Sequence, residues 1–225
     1  MSQRQENESA VRRVLATTGW TLVRDRSPGG VHREVFLTGD GHVVKRFTHP
    51  GKPPRFRRPW VVEHRALKRL GGRGAPRPIG YVVDETDGRV TATMVRHYLE
   101  GEPVGPVDDE LTSEIASLLA EFHDAGVATN DAHLNNFVRM RDGNLGFLDF
   151  GRARVFSRAN PLLYVGVAME LHRFRRATLK QDERRWEEFL GMYFHRSPFG
   201  PLGNRLIRVL LAIDIWRYGL RKRGR

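Results

Sequence analysis

The feature that most restricts the fold is a change of hydrophobic period near Asp108. Before it, short β-type runs are separated by turn residues, and after it apolar residues recur at helical spacing. Arg33 to Thr38 (REVFLT) and His42 to Phe47 (HVVKRF) flank Gly39-Asp40-Gly41. An Asp-Gly turn between β-branched and aromatic runs predicts a hairpin. Ala75 to Glu85 and Arg89 to Leu99 read as two further strands around a turn at Asp87-Gly88. One helix is predicted over Glu6 to Gly19, with Val11, Val14 and Leu15 on one face. Another is predicted over Trp60 to Leu70, where Val62, Ala66, Leu67 and Leu70 keep helical spacing up to Gly71-Gly72. Residues 1–100 are expected to form a five-stranded antiparallel sheet with one inserted helix, four of its strands being the runs just named, and Glu100 to Val107 (EGEPVGPV) is a linker by composition.

From Asp108 onward, Leu111, Ile115, Leu118, Leu119 and Phe122 form an apolar stripe that Gly126 ends. Beyond Arg154 three helices are predicted: from Asn160-Pro161, from Asp182 to Phe194, and from Leu202 to Leu220. The expected architecture is α+β in two lobes, residues 1–100 and 101–225, the second mainly helical. The length of 225 residues suits one compact domain or two small lobes sharing a cleft better than two independent domains.

A net charge of +12 means the chain attracts anions: nucleotide, nucleic acid or the phosphorylated face of a membrane. No zinc-finger spacing, basic region with heptads or aromatic RNA-binding signature appears, so no specific nucleic-acid binding is expected. Cysteine is absent, which removes disulfides, thiolate metal sites and cysteine nucleophiles. The opening MSQRQENESAVRR lacks an apolar signal core, and no stretch approaches the roughly 18 apolar residues of a membrane span. A cytoplasmic chain is expected, soluble or peripheral on the inner face of the cytoplasmic membrane.

The chemistry concentrates in Gly126 to Arg154, GVATNDAHLNNFVRMRDGNLGFLDFGRAR. Asp131 and Asn136 stand in D-x-x-x-x-N spacing, and Asp149-Phe150-Gly151 follows a hairpin turn at Asp142-Gly143. Taken singly these are ordinary turn formers. Together they resemble the catalytic loop and DFG segment of the protein-kinase-like superfamily. The resemblance implies a carboxylate at Asp131 beside the attacking hydroxyl, with Asn136 and Asp149 as magnesium (or manganese) ligands and ATP as donor. It also implies that Lys45, in the V-V-K-R-F strand, holds the α- and β-phosphates and is oriented by Glu63 on the following helix. A solvated surface ion pair is the plainer account of those two residues. Gly29 and Gly30 resemble a reduced phosphate-covering loop, or else a plain hairpin turn. MVRHYLEG resembles the interlobe hinge, where the backbone of His97 and Leu99 would meet adenine.

Only Arg152 to Asn160 separates DFG from the next helix and no A-P-E motif follows, so a peptide-docking platform does not fit. Thr129 stands where the superfamily usually has His, which leaves the support of the loop unexplained. His133 completes a D-x-H pattern like that of aminoglycoside and choline phosphotransferases. The E-H-R-A-L helix, A-P-R-P-I-G-Y strand and F-L-D-F-G-R-A-R ending look most like bacterial lipopolysaccharide kinases acting on Kdo or core heptose. Atypical protein kinases of the RIO and Bud32 kind are also similar, and a nucleotide-binding pseudokinase fits the same residues. The resemblance covers Ser27 to Arg154 well and the C-terminal helices only loosely. The implied partners are ATP, a sugar or glycolipid acceptor and an anionic membrane surface. At the C-terminus, Leu206, Ile207, Leu210, Leu211, Ile215 and Trp216 are expected to pack into the core. The cations from Arg217 to Arg225, like the basic loop Lys52 to Arg58, suit either an anionic membrane or solvent.

Overall fold

Alternation along two central strands sorts the first part of the chain onto two faces. The computed structural model describes residues 3–17, 19–27, 31–51, 53, 58–179 and 182–223. The chain divides into two compact units, Met1–Leu99 and Glu100–Arg225. The first unit comprises α1 (Gln3–Leu15), β1 (Thr21–Arg26), β2 (His32–Leu37), β3 (His42–His49), α2 (Pro59–Leu70), β4 (Pro78–Thr86) and β5 (Arg89–His97). Its five strands form one antiparallel sheet in the order β1-β2-β3-β5-β4. Val44 pairs with Val95 across β3 and β5, and both pack with Val82 under Val11 and Val14 of α1. Their neighbours along the strand point the other way. There Phe47 meets Trp60 of α2 with ring centroids 5.8 Å apart, and Lys45 meets Glu63. The two helices thus cover opposite faces, and each buried large apolar side chain contributes about 1.5 to 3 kcal/mol.

Local signals set the helix ends. Gly71 takes the left-handed conformation, φ 62°, and its N–H donates to Leu67 O at 3.0 Å. The first helix stops at Leu15 rather than at Gly19, because the Thr17 hydroxyl donates to Val14 O at 2.7 Å and closes the last turn.

The second unit comprises β6 (Gly101–Pro103), α3 (Asp109–Asp124), β7 (Val127–Ala128), β8 (Phe137–Met140), β9 (Leu145–Phe147), β10 (Arg154–Val155), α4 (Leu162–Phe174), α5 (Glu183–Arg196) and α6 (Gly200–Arg223). Six α-helices in all stand among the described residues. Asp108 and Asp182 cap α3 and α5, accepting from Leu111 N and Arg185 N at 2.8 and 3.0 Å. The segment expected as a linker contains β6, the edge of the sheet β6-β8-β9. Composition hid this strand, because Gly101 is there for close approach: a Cβ would lie 2.7 Å from Arg139 O.

The last helix also departs from expectation. Only Ile207 and Leu211 of its apolar residues are buried, while Leu206 and Trp216 are exposed. Adjacent residues on a helix point about 100° apart, so six such residues cannot share one face. The face carrying Gly203, Ile207 and Leu211 is the one turned inward.

Gly126 joins α3 to the chemistry-bearing loop. Its φ is 74°, and a Cβ there would meet Phe156 O at 2.4 Å. Gly126→Ala is expected to lower stability by at least about 1 to 3 kcal/mol, the cost of a left-handed non-glycine backbone alone, before the clash is counted. Urea unfolding of the two proteins checks this.

Candidate functional site

In the first unit, the register that faces Val44 toward α1 turns Lys45 toward α2. Its Nζ donates to both oxygens of Glu63, at 2.7 and 3.0 Å, and Glu63 is fully buried. This is a desolvated pair with bidentate geometry, unlike the screened surface pair that sequence alone also allowed. Arg96 of β5, pointing to the same face, brings its Nε to 3.5 Å from Glu63 Oε1. Sequence reading missed Arg96, although its place two residues along β5 from Met94, the partner of Lys45, puts it beside the pair. His97 ends β5 and its backbone N–H donates to Arg77 O at 2.9 Å; Leu99 lies half-buried just beyond. Gly29 and Gly30 lie outside the described residues, as does most of the basic loop 52–58.

In the second unit hydrogen bonds link the loop carrying Asp131 and Asn136, after β7, to the segment carrying Asp149. Asn130 adopts φ 55°, a left-handed turn that Asn tolerates, and its side-chain amide donates to Ala128 O at 3.2 Å. His133 N and the Asn136 side-chain Nδ2 both donate to Asp131 O at 2.9 Å. Leu148 N, next to Asp149, donates to Asn136 O at 2.9 Å. Asp149 is steadied from both sides: its Oδ1 accepts from Gly151 N at 3.0 Å, and the following Phe150 is fully buried. Phe150 stands edge-on to Phe122 and Phe147, with centroids 5.5 and 5.2 Å apart.

Thr129, two residues before Asp131, is held by a fully buried network. Its N–H donates to Glu170 Oε2 at 2.8 Å and its hydroxyl donates to Glu170 Oε1. His123 Nε2 lies 2.9 Å from the same Oε2, and His123 Nδ1 lies 2.7 Å from the Tyr193 hydroxyl. Burial first, and Glu170 second, push the Tyr193 phenol well above its ordinary value, so it keeps its proton. Proton placement then follows from the carboxylate outward. Tyr193 donates to Nδ1, Nε2–H donates to Glu170, and the Thr129 hydroxyl, its hydrogen directed at Glu170, accepts the Asp131 N–H at 3.4 Å. The His123 imidazole therefore reaches the loop through Glu170. One sequence signal pointed there: Glu170 is the single acid within the apolar run Leu162–Phe174.

The Asp131 carboxylate itself is 18 % exposed and faces basic side chains. Arg152 Nη1 lies 3.3 Å and Arg173 Nη1 3.6 Å from its Oδ1, and His133 Nε2 lies 3.9 Å from Oδ2. Arg173 also donates to Asn130 O, whereas the Arg152 side chain is 68 % exposed.

Can these residues hold a divalent cation? No group of three or more His, Cys, Asp or Glu is gathered among the described residues. A carboxylate at Asp149 and an amide at Asn136 nevertheless suit magnesium, which takes few protein ligands and draws the rest from phosphate oxygens and water. With Nδ2 of Asn136 donating to Asp131 O, Oδ1 is the atom it has to offer. No protein-family model matches the chain, and no curated protein matches its sequence.

Proposed function

We propose that the chain is an ATP-dependent phosphotransferase acting on a hydroxyl, with the sugar of a lipopolysaccharide inner core, Kdo or heptose, as acceptor. The observation that carries the proposal is the loop geometry: two hydrogen bonds tie Asp131 to Asn136 and Asn136 to the residue beside Asp149. Phosphoryl transfer needs this separation of roles, with one carboxylate for the attacking hydroxyl and other oxygens for the metal. In the reaction, the acceptor oxygen forms a bond to the γ-phosphorus and the bond to the β–γ bridging oxygen breaks. Asp131 accepts the hydroxyl proton, and ADP leaves. Magnesium, when bound, neutralises charge on the phosphates; Asn136 and Asp149 would hold it. Lys45, fixed by Glu63, would pair with the α- and β-phosphates. Arg152, exposed beside Asp131, favours an acceptor with an anionic group near the reacting hydroxyl.

Mg-ATP at a hundred times its Kd is expected to stabilise the protein by about 2.7 kcal/mol, roughly 5 to 10 °C in Tm. Lys45→Met should lose most of that shift while still folding, because Arg96 remains 3.5 Å from Glu63. Equal stabilisation by magnesium-free nucleotide would refute the site. Mass spectrometry of the glycolipid from a deletion strain identifies the acceptor: a species short of one phosphate supports the sugar-kinase assignment. Unaltered glycolipid together with a phosphorylated protein would point to an atypical protein kinase instead.

A further inference from the structure

The last helix carries a second apolar face that its own unit does not cover. Leu202, Leu206, Val209, Ile213, Trp216 and Leu220 recur at alternating spacings of four and three, and all six are exposed, Leu202 by 84 % and Trp216 by 65 %. This spacing keeps them within about 40° of a common line along the helix. The opposite side is anchored. Ile207 and Leu211 are buried there, and a Cβ on Gly203 would meet Phe199 and Tyr164. Asp214 Oδ2 lies 2.7 Å from His172 Nδ1, and Tyr218 stacks edge-on to His172 and under Arg176. The exposed stripe is therefore presented by a fixed helix. A contiguous apolar face of this length marks an interaction surface.

Charge decides the occupant. Six bases and one acid lie along α6, and that acid, Asp214, is engaged by His172 on the packed side. Arg205 and Arg217 flank the stripe, one on each side at about 60° from its centre. The remaining bases include Arg221, Lys222 and Arg223 at the end of the helix. Two copies of α6 laid stripe to stripe would bring together two helices that each carry six bases and one acid, and this like charge opposes a helical dimer. An anionic bilayer meets both demands: apolar side chains enter the boundary of the acyl region and the flanking arginines reach up to lipid phosphates. Among the described residues no helix is long and apolar enough to cross a membrane.

We propose that α6 lies flat on an anionic membrane surface, with the Leu202 to Leu220 stripe inserted and Arg205 and Arg217 at the headgroups. This use of the helix is independent of phosphate transfer, because binding is read without nucleotide or acceptor.

The test sediments the full-length protein with phosphatidylglycerol-containing vesicles and with pure phosphatidylcholine vesicles. Binding to the first, weakened by salt, is expected, with a blue shift of tryptophan emission that Trp216→Phe removes. Val209→Asp and, separately, Ile213→Asp should each lower the vesicle partition coefficient by about tenfold or more. Both sites are solvent-facing, so circular dichroism should show unchanged folding. Undiminished binding by folded Val209→Asp and Ile213→Asp would overturn the proposal, leaving electrostatic adhesion alone. So would equal binding to both vesicle types, no binding at all, or a dimer in sedimentation equilibrium that Ile213→Asp dissociates.

Discussion

Asp131→Asn is expected to reduce phosphate transfer about a thousandfold, within the range that a positioned general base contributes, while Mg-ATP binding stays within a factor of about two. The substitution is nearly isosteric and spares the contacts that shape the loop. Those contacts use the backbone of Asp131: its O accepts from His133 N and Asn136 Nδ2, and its N–H donates to Thr129 Oγ1. What disappears is the proposed proton acceptor, together with the charge that meets Arg152 and Arg173. Asp149→Asn should behave differently, losing nucleotide binding together with transfer, because a neutral amide is a poorer magnesium ligand than a carboxylate. Thermal shift with Mg-ATP and a transfer assay on extracted glycolipid read the two quantities separately. Should Asp131→Asn retain transfer, Asp131 is not the base. Wild-type protein that binds Mg-ATP but transfers to no acceptor would be a pseudokinase.

How much of this was legible in the sequence depends on how far apart the cooperating residues stand. Features set by neighbours within a few positions came through: the Asp-Gly hairpin after β2, the Gly71 helix end, and the sheet of five antiparallel strands. The Asp131–Asn136 spacing is also local, and the Asn136 side chain donates to the Asp131 backbone oxygen. Contacts between distant residues did not come through. Glu170 reaches His123 across 47 positions and Thr129 across 41, and neither periodicity nor turn chemistry encodes such a meeting. The strand β6 was lost because Gly and Pro read as linker residues, although the glycine serves a close strand crossing. In α6 the apolar residues populate two opposite faces. Reading them as one set merged a packed face with an exposed one.

Glu170 offers the sharpest separation of stability from chemistry. It is fully buried and accepts from Thr129 N and the Thr129 hydroxyl, and lies 2.9 Å from His123 Nε2. Glu170→Ala strands all three donors without water, and removing one partner of a buried polar cluster costs about 3 to 5 kcal/mol. Glu170→Gln keeps one acceptor oxygen of similar shape, so its cost should be nearer 1 to 3 kcal/mol, about that of leaving one buried group unsatisfied. Neither side chain touches the reacting atoms in this reading; Glu170 is a positioning residue that acts on Asp131 through Thr129. Folded Glu170→Gln should therefore show a lower kcat with little change in the KM for ATP, whereas a purely structural role would leave kcat intact in whatever fraction folds. Tyr193→Phe tests the far end of the same chain. The Tyr193 phenol is raised above its ordinary value of 10.0 by burial and by Glu170, so its contribution to stability is whole below that pH and declines as pH rises above it. Tyr193→Phe should accordingly be less stable at neutral pH, with His123 Nδ1 left unbonded, and should lose that part of the alkaline decline. If Glu170→Ala unfolds at the same urea concentration as wild type, the network does not support the loop.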